Sequence, residues 1–174
     1  MSQLKVPVSQ ADHQVGKPGA TVTLVEYGDY QCSHCGFAYP LLKKLIREFS
    51  NELRFVFRNF PLTESHPAAM IAAQAAEAAA LQDKFWEMHG LIYEHQDELT
   101  KDNLIYFAET LHLDMEKFMN DLNSEEVASG IENDFESGVR SGVNGTPTFF
   151  INQNRLNSYD QTYESLADAV TNAE

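Results

Sequence analysis

The chain has 174 residues, of which 43% are hydrophobic and 22% are charged, a composition typical of a globular protein rather than of a disordered one. Its formal net charge is -14, from 26 acidic and 12 basic residues, which argues against a nucleic-acid partner because such partners require concentrated positive charge. No apolar run approaches the ~20 residues of a membrane-spanning helix, so we expect no membrane insertion.

The length favours a single domain over residues 1–174, and we expect it to act as a monomer. The first residues contain neither the apolar core nor the small-residue cleavage site of a secretory signal. The sequence therefore predicts a cytoplasmic protein. A periplasmic location is the alternative if the chain is a processed or truncated form.

The first third of the chain has the pattern of a strand, a helix and a second strand. Residues 1–20 are polar and predict an extended lead-in, and residues 21–27 are β-branched and apolar, which predicts a buried strand. Apolar residues then recur at four-residue steps between Phe37 and Phe49, a helical pattern that Pro40 should kink. Residues 53–60 predict the second strand, parallel to the first.

From about residue 63 to 143 the pattern is helical, which predicts a helical insertion. Residues 68–80 are mostly alanine, and Pro67 is expected at the first helical position. Later helices are expected to start near three residues that cap amino ends well, Thr100, Asp114 and Ser124. Strand character returns at residues 148–151, with a short antiparallel partner expected at 155–157 and a last helix at 163–172.

The two cysteines stand three residues apart, in Cys32-Ser33-His34-Cys35, directly after the first predicted strand and its turn. A helix amino terminus offers unpaired amides and a positive dipole end, so Cys32 is expected to be an exposed, activated thiolate. Cys35, one turn further, should lie deeper and resolve a mixed disulfide by attacking Cys32. An inert pair and half of a zinc site remain alternatives, although the chain has no second cysteine pair.

Three further residues are candidates for the same site. A partly positive imidazole of His34 would favour the Cys32 thiolate, unless His34 is a solvated loop histidine. Glu26 interrupts a buried strand, so its pKa should rise and it could relay the proton of Cys35, unless its side chain reaches solvent at a strand edge. Pro147 opens the returning strand, where a residue that lacks an amide donor is tolerated.

With these features assembled, the chain resembles DsbA-like thioredoxin-fold proteins. The similarity rests on residues 22–36, 57–62, 66–67, 85–86 and 142–150. It implies an α/β thioredoxin fold with a helical insertion between the βαβ and ββα halves. It also implies a thiol-disulfide oxidoreductase that acts on protein thiol or disulfide clients without a cofactor, together with a redox partner of unknown identity.

The resemblance also assigns roles within the site. It implies that Cys32 forms the mixed disulfide, that Cys35 resolves it and that Glu26 is the buried acid. It further implies that Pro147 is cis and faces the cysteines, while the Thr146 backbone pairs with an extended client segment.

Two departures from the family leave points open. Ser33 stands where proline is common, which leaves the redox potential open. Residues 152–154 form a hairpin where glycine is frequent, which leaves the turn geometry open.

Two other functions remain possible on the same fold. One is a redox-independent client-binding or chaperone module, and the other is a glutathione-dependent transferase, which would need only one catalytic Ser or Cys. The remaining histidines, His66, His89, His95 and His112, are expected to be structural or solvated. Trp86, with Phe85 and Met88, is expected in the core rather than in a client groove.

Overall fold

The computed structural model describes residues 2–173. Five strands form one sheet in the order β1-β3-β2-β4-β5. Strands β2 and β3 are parallel, whereas the other neighbouring pairs are antiparallel. The predicted α/β architecture with a parallel first pair is therefore confirmed. The strands are β1 (His13–Gly16), β2 (Val22–Gly28), β3 (Leu53–Asn59), β4 (Thr148–Ile151) and β5 (Asn154–Arg155).

One helix connects the parallel strands, and a helical segment separates β3 from β4, as the sequence predicts. Thr100, Asp114 and Ser124 each cap a helix by accepting a hydrogen bond from the amide three residues on, which confirms the predicted starts. A short 3₁₀ helix covers Gln96–Glu98. The α-helices are α1 (Ser33–Glu48), α2 (Ala69–Ala80), α3 (Phe85–Glu94), α4 (Lys101–Thr110), α5 (Met115–Asp121), α6 (Glu125–Arg140) and α7 (Tyr163–Thr171).

Three expectations about local structure were wrong. Residues 1–20 are not only a lead-in, because β1 pairs with β3; its side chains are largely half-buried, so it lacks a strong apolar pattern. Helix α2 begins at Ala69 rather than Pro67, and the amide of Ala68 donates to the Gln31 side chain. The partner of β4 is Asn154–Arg155, since a two-residue turn directly precedes it.

The central strand β2 is buried on both faces because it lies between β3 and β4 and helices cover both sides. Leu24 and Phe149 belong to the core cluster that also holds the buried side chains of α1. Val25 and Tyr27 belong to a second cluster on the other face, which includes Phe135 of α6. Glu26 alternates with these residues and therefore shares the α1 face with Leu24.

Helix α6 packs on the second face through a glycine. A Cβ atom at Gly138 would lie 2.7 Å from Phe60 Cδ2 and 3.0 Å from Tyr27 Cδ1, so only glycine allows this approach. A Cβ atom at Gly130, on the same helix, would have Glu77 Oε2 as its neighbour at 4.0 Å. A methyl group therefore has room at Gly130 but not at Gly138.

We expect Gly138→Ala to lower the free energy of unfolding by about 1–3 kcal/mol, because the added methyl group overpacks the sheet face. Gly130→Ala is the matched control and should raise that free energy by up to ~1 kcal/mol through helix propensity alone. Urea unfolding of the three proteins measures both changes. An unchanged or higher stability of Gly138→Ala would contradict the close packing of α6.

Candidate active site

The site is built at the start of α1. Cys32 is the N-cap residue of this helix, with extended backbone angles of φ -69 and ψ 120. The backbone amides of His34 and Cys35 help to lower the pKa of Cys32, although the sulfur accepts no capping hydrogen bond within normal geometry. The first helical turn contains no acidic residue. The sulfur therefore lies where a helix presents unpaired amides and the positive end of its dipole.

The two thiols have opposite proton affinities. Hydrogen bonding from the Cys35 thiol, with smaller contributions from the first amides of α1, outweighs burial and lowers the pKa of Cys32 from 9.0 to about 5. Burial raises the pKa of Cys35 well above 9.0, and its bond to Cys32 and the charge of Glu26 add to the rise. Cys32 and Cys35 lie near 3.8 Å apart. At neutral pH, Cys32 is therefore a thiolate and Cys35 a thiol.

The expectation that Cys32 is exposed was wrong. Cys32 exposes 5% of its surface, and Cys35 exposes none. In the thiol form, the Cys32 sulfur donates to the Thr146 carbonyl oxygen at 3.4 Å, so the loop before β4 lies against it. The side-chain amide of Gln96 donates to the Cys32 carbonyl oxygen at 2.6 Å on the helix side. The sulfur is activated but largely covered.

The loop that lies against Cys32 holds the two other residues that the resemblance implies. The Thr146–Pro147 peptide bond is cis, the isomer that the resemblance implies. Strand β4 begins at the next residue, Thr148. The Thr146 hydroxyl oxygen is buried without a hydrogen-bond partner. The structure thus brings the loop of Thr146 and Pro147 to the cysteine pair.

Glu26 is buried in the middle of β2, where it exposes 1% of its surface and pairs with Phe57 and Phe149. The alternative that it reaches solvent at a strand edge is therefore wrong. Burial raises its pKa from 4.5 to about 8, and the charge of Cys32 adds to the rise. Its Oε1 atom has no partner. Glu26 therefore retains its proton more readily than an ordinary carboxyl and can exchange it near neutral pH.

The role expected of His34 stays a prediction. Its ring Nδ1 lies 3.2 Å from the Gln161 side-chain oxygen, and the side chain is exposed. The His34 backbone amide contributes to the low pKa of Cys32. Any residue at this position would supply that amide, so His34→Ala isolates the contribution of the imidazole.

Sequence reasoning missed three residues at the site. Gln96 binds the start of α1 from a segment remote in sequence, so no local pattern indicated it. The Asp29 carbonyl oxygen accepts from the Cys32 amide at 3.1 Å, and its turn position next to Gly28 was a usable signal. The Tyr159 hydroxyl is buried without a partner, although the loop around it is polar.

The other histidines and Trp86 lie where the sequence predicts. His66 binds the buried Asp29 carboxylate at 2.8 Å, which is a structural contact. His89 binds the Tyr30 hydroxyl, and burial lowers its pKa to about 3, so it stays neutral. Phe85 and Met88 belong to the main core, and Trp86 packs against it.

Fold and site together define a thioredoxin-fold protein with two unequal thiols at the start of a helix. A family model described as Thioredoxin matches residues 8–172. The chain therefore belongs to the thioredoxin family.

Its structural neighbours include a thioredoxin-like oxidoreductase from Silicibacter pomeroyi, with a TM-score of 0.84 and 27% identity over 95% of this chain and 93% of that one. BdbD from Bacillus subtilis has a TM-score of 0.84 and 25% identity over 96% and 95%. The α-DsbA1 protein of Wolbachia pipientis, at 20% identity, shares the fold with a TM-score of 0.80 over 98% and 94%. These neighbours confirm the predicted thioredoxin-like fold, and the narrower DsbA-like class stays a prediction.

Two curated relatives are named as antiporters rather than as oxidoreductases. The Na(+)/H(+) antiporter NhaA 1 of Salinispora arenicola is 46% identical over 98% of this chain but 26% of that protein. The Na(+)/H(+) antiporter NhaA of Herminiimonas arsenicoxydans is 42% identical over 90% and 25%. The chain thus spans about a quarter of the length of these relatives. Between residues 2 and 173, no helix is long and apolar enough to cross a membrane.

We expect iodoacetamide to modify Cys32 faster than Cys35 in the reduced protein at neutral pH. Cys32 is the thiolate there, whereas Cys35 is a fully buried thiol. Mass-spectrometric mapping after brief exposure measures the two rates. His34→Ala should change the Cys32 rate only through the lost imidazole, because the amide at position 34 is retained. Equal or faster labelling of Cys35 would overturn the assigned roles.

Glu26→Gln should stabilise the folded protein increasingly as pH rises from 4.5 towards 8. The folded wild type keeps a proton that its unfolded chain releases in this window, so wild-type stability falls with pH. The difference between variant and wild type should grow by ~1 kcal/mol per pH unit. Urea unfolding of the disulfide forms, whose thiols do not titrate, measures it. A difference independent of pH would contradict a buried, protonated Glu26.

Proposed function

We propose that this protein is a thiol-disulfide oxidoreductase that exchanges disulfides with protein clients. Cys32 is the attacking thiolate, and Cys35 is the resolving thiol. The observation that carries this proposal is the opposite displacement of the two pKa values in neighbouring side chains. An inert pair requires no such difference, whereas disulfide exchange requires one thiolate and one thiol held in reserve.

The exchange proceeds in two steps. The Cys32 thiolate attacks one sulfur of a client disulfide, so that a bond to Cys32 forms while the other client sulfur leaves as a thiolate. The mixed disulfide removes the Cys32 charge that helps to raise the pKa of Glu26, so the carboxyl ionises more readily. Cys35 then gives its proton to the ionised Glu26 and attacks the Cys32 sulfur, which releases the second client sulfur as a thiolate. The client has gained two electrons, and the protein holds a Cys32–Cys35 disulfide. Client oxidation is the reverse sequence.

The low pKa of Cys32 supports action as an oxidant. Hydrogen bonds to the thiolate stabilise the reduced protein and have no counterpart in the disulfide form, where the sulfur carries no charge. A more stable reduced form makes the disulfide a stronger oxidant. The redox partner then decides which direction operates in the cell.

We propose that a client lies across the first turn of α1. Ser33, His34 and Phe37 are exposed there, and Phe37 exposes 56% of its surface. An extended client segment could pair with the Thr146 backbone while an apolar client side chain contacts Phe37. The same surface would serve a client-binding module without redox turnover, so the cysteines must be tested directly.

The antiporter-named relatives support a narrower proposal about the client. A segment similar to nearly the whole chain occurs in proteins named as Na(+)/H(+) antiporters. We therefore propose that a membrane transporter with accessible cysteines is among the clients. Mixed disulfides trapped in membranes support this proposal, and their restriction to the non-membrane fraction contradicts it.

Cys35→Ser should accumulate a mixed disulfide through Cys32 when mixed with a disulfide-bonded peptide, because the resolving thiol is missing. Cys32→Ser should form none, and Cys32→Ser with Cys35→Ser is the matched background. Non-reducing electrophoresis and peptide mapping identify the bond. Full activity of Cys32→Ser on clients would instead favour the redox-independent module.

A further inference from the structure

Three unpaired polar atoms belong to residues around the cysteine pair. Within residues 2–173, four buried side-chain atoms lack a hydrogen-bond partner: Glu26 Oε1, Asn59 Oδ1, Thr146 Oγ1 and the Tyr159 hydroxyl. Leaving such a group unpaired costs roughly 1–3 kcal/mol, so a group of them calls for an explanation. Glu26 takes part in the exchange steps and Thr146 belongs to the proposed client site, whereas Tyr159 has no role in either.

Sheet register places Tyr159 on the side of Glu26. The Tyr159 ring packs edge-on against Phe149, with ring centroids 4.9 Å apart and an interplanar angle of 78°. Phe149 is the direct partner of Glu26 in the antiparallel β2–β4 ladder, so both side chains project from the same sheet face. Cys35 of α1 belongs to the core cluster on this face, and Tyr159 packs against that cluster.

The electrostatics agree with this placement. Burial raises the pKa of Tyr159 to about 12, and the charges of Glu26, Cys35 and Asp160 add to the rise. Tyr159 therefore remains protonated at neutral pH, and its hydroxyl can both donate and accept a hydrogen bond. Tyr159 is half-buried, whereas Glu26 exposes 1% of its surface. The Tyr159 hydroxyl itself is buried, on the sheet face that also holds Glu26.

The other titratable groups that face this region come from three elements. Cys32 at the start of α1 acts on Glu26. Tyr93 of α3 and Tyr30 of the turn after β2 also feel the charge of Glu26, and burial holds the pKa of each well above 10.0. Both tyrosines already have hydrogen-bond partners, the Asp29 carbonyl oxygen for Tyr93 and His89 for Tyr30. The Tyr159 hydroxyl differs from them because it has none.

We propose that Tyr159 is a positioning residue whose hydroxyl holds a buried water on the Glu26 carboxyl. This role rests on the proposed disulfide exchange. The water donates a hydrogen bond to the Glu26 carboxylate and accepts one from the Tyr159 hydroxyl, so it stabilises the charged form of Glu26 that takes the proton of Cys35. No electron moves, and no covalent bond changes at the water or at the hydroxyl.

Tyr159→Phe tests the role because it keeps the ring on Phe149 and removes only the hydroxyl. Stopped-flow kinetics should show the Cys35-dependent resolution step slowed about tenfold, less than the ~100-fold or more expected for a lost direct acid or base. The first attack by Cys32 should keep its rate, since Tyr159 does not contribute to the Cys32 pKa. In a Glu26→Gln background, Tyr159→Phe should have no further effect.

A second readout does not depend on activity. In the disulfide form, loss of the Tyr159 hydroxyl should raise the pKa of Glu26 further, because the carboxylate loses the hydrogen bond of the water that Tyr159 holds. The carboxyl carbon chemical shift of Glu26 against pH measures this. Tyr163→Phe is the matched control, since its hydroxyl bonds Glu48 at the surface, and it should change neither readout.

A wild-type resolution rate in Tyr159→Phe, or an unchanged Glu26 titration, would overturn the role of Tyr159 while leaving the oxidoreductase intact. Failure of the wild type and of Cys35→Ser to form any mixed disulfide would instead overturn the proposed function, and the proposed role of Tyr159 with it. The two failures are therefore distinguishable.

Discussion

The hydrogen bonds at the Cys32 sulfur are the interaction on which the site depends. The Cys35 thiol makes the largest contribution and the first amides of α1 make smaller ones, and together they outweigh the cost of burying a negative charge. The surroundings of the sulfur require different parts of the fold. The amides require the helix to begin at Cys32, and the Thr146 carbonyl oxygen, which accepts from the thiol form, requires the returning strand β4 to lie beside β2. Sheet order therefore determines what surrounds the sulfur.

The same arrangement makes the two cysteines unequal. One helical turn separates a sulfur at the helix start from a sulfur inside the core, so helix dipole and burial act in opposite senses on the pair. Glu26 increases the difference because its charge raises the pKa of Cys35. A buried acid within a central strand destabilises the fold near neutral pH, and the proposed exchange uses it as the proton acceptor of Cys35. Glu26 therefore lowers the stability of the fold while it serves the proposed proton transfer.

Local patterns in the sequence predicted most of the fold and the centre of the site. Strand β2, strand β4 and the N-caps at Thr100, Asp114 and Ser124 follow from periodicity and capping, which operate within a few residues. Strand β1 was missed because it is a short, half-buried edge strand without a strong pattern. Gln96 and Tyr159 were missed because only the tertiary fold brings Gln96 to the Cys32 carbonyl oxygen and Tyr159 to Phe149, the ladder partner of Glu26.

Residue type alone also leaves one contribution undecided. A histidine between two cysteines indicates imidazole chemistry, yet the sequence does not reveal whether the side chain or the backbone amide acts on the sulfur. The His34 ring contacts Gln161, and the His34 amide contributes to the low pKa of Cys32. The loop around Thr146 likewise covers a sulfur that a helix start alone would leave exposed.

The stability of the Cys32 thiolate is the central claim, and the ultraviolet absorbance of the thiolate against pH in the reduced protein tests it most directly. One thiolate should appear with a midpoint near pH 5, and no second one should appear until well above pH 9.0. The first step should be absent from Cys32→Ser. A single transition of both thiols near 9.0, the ordinary value, would contradict the claim that this helix start activates Cys32.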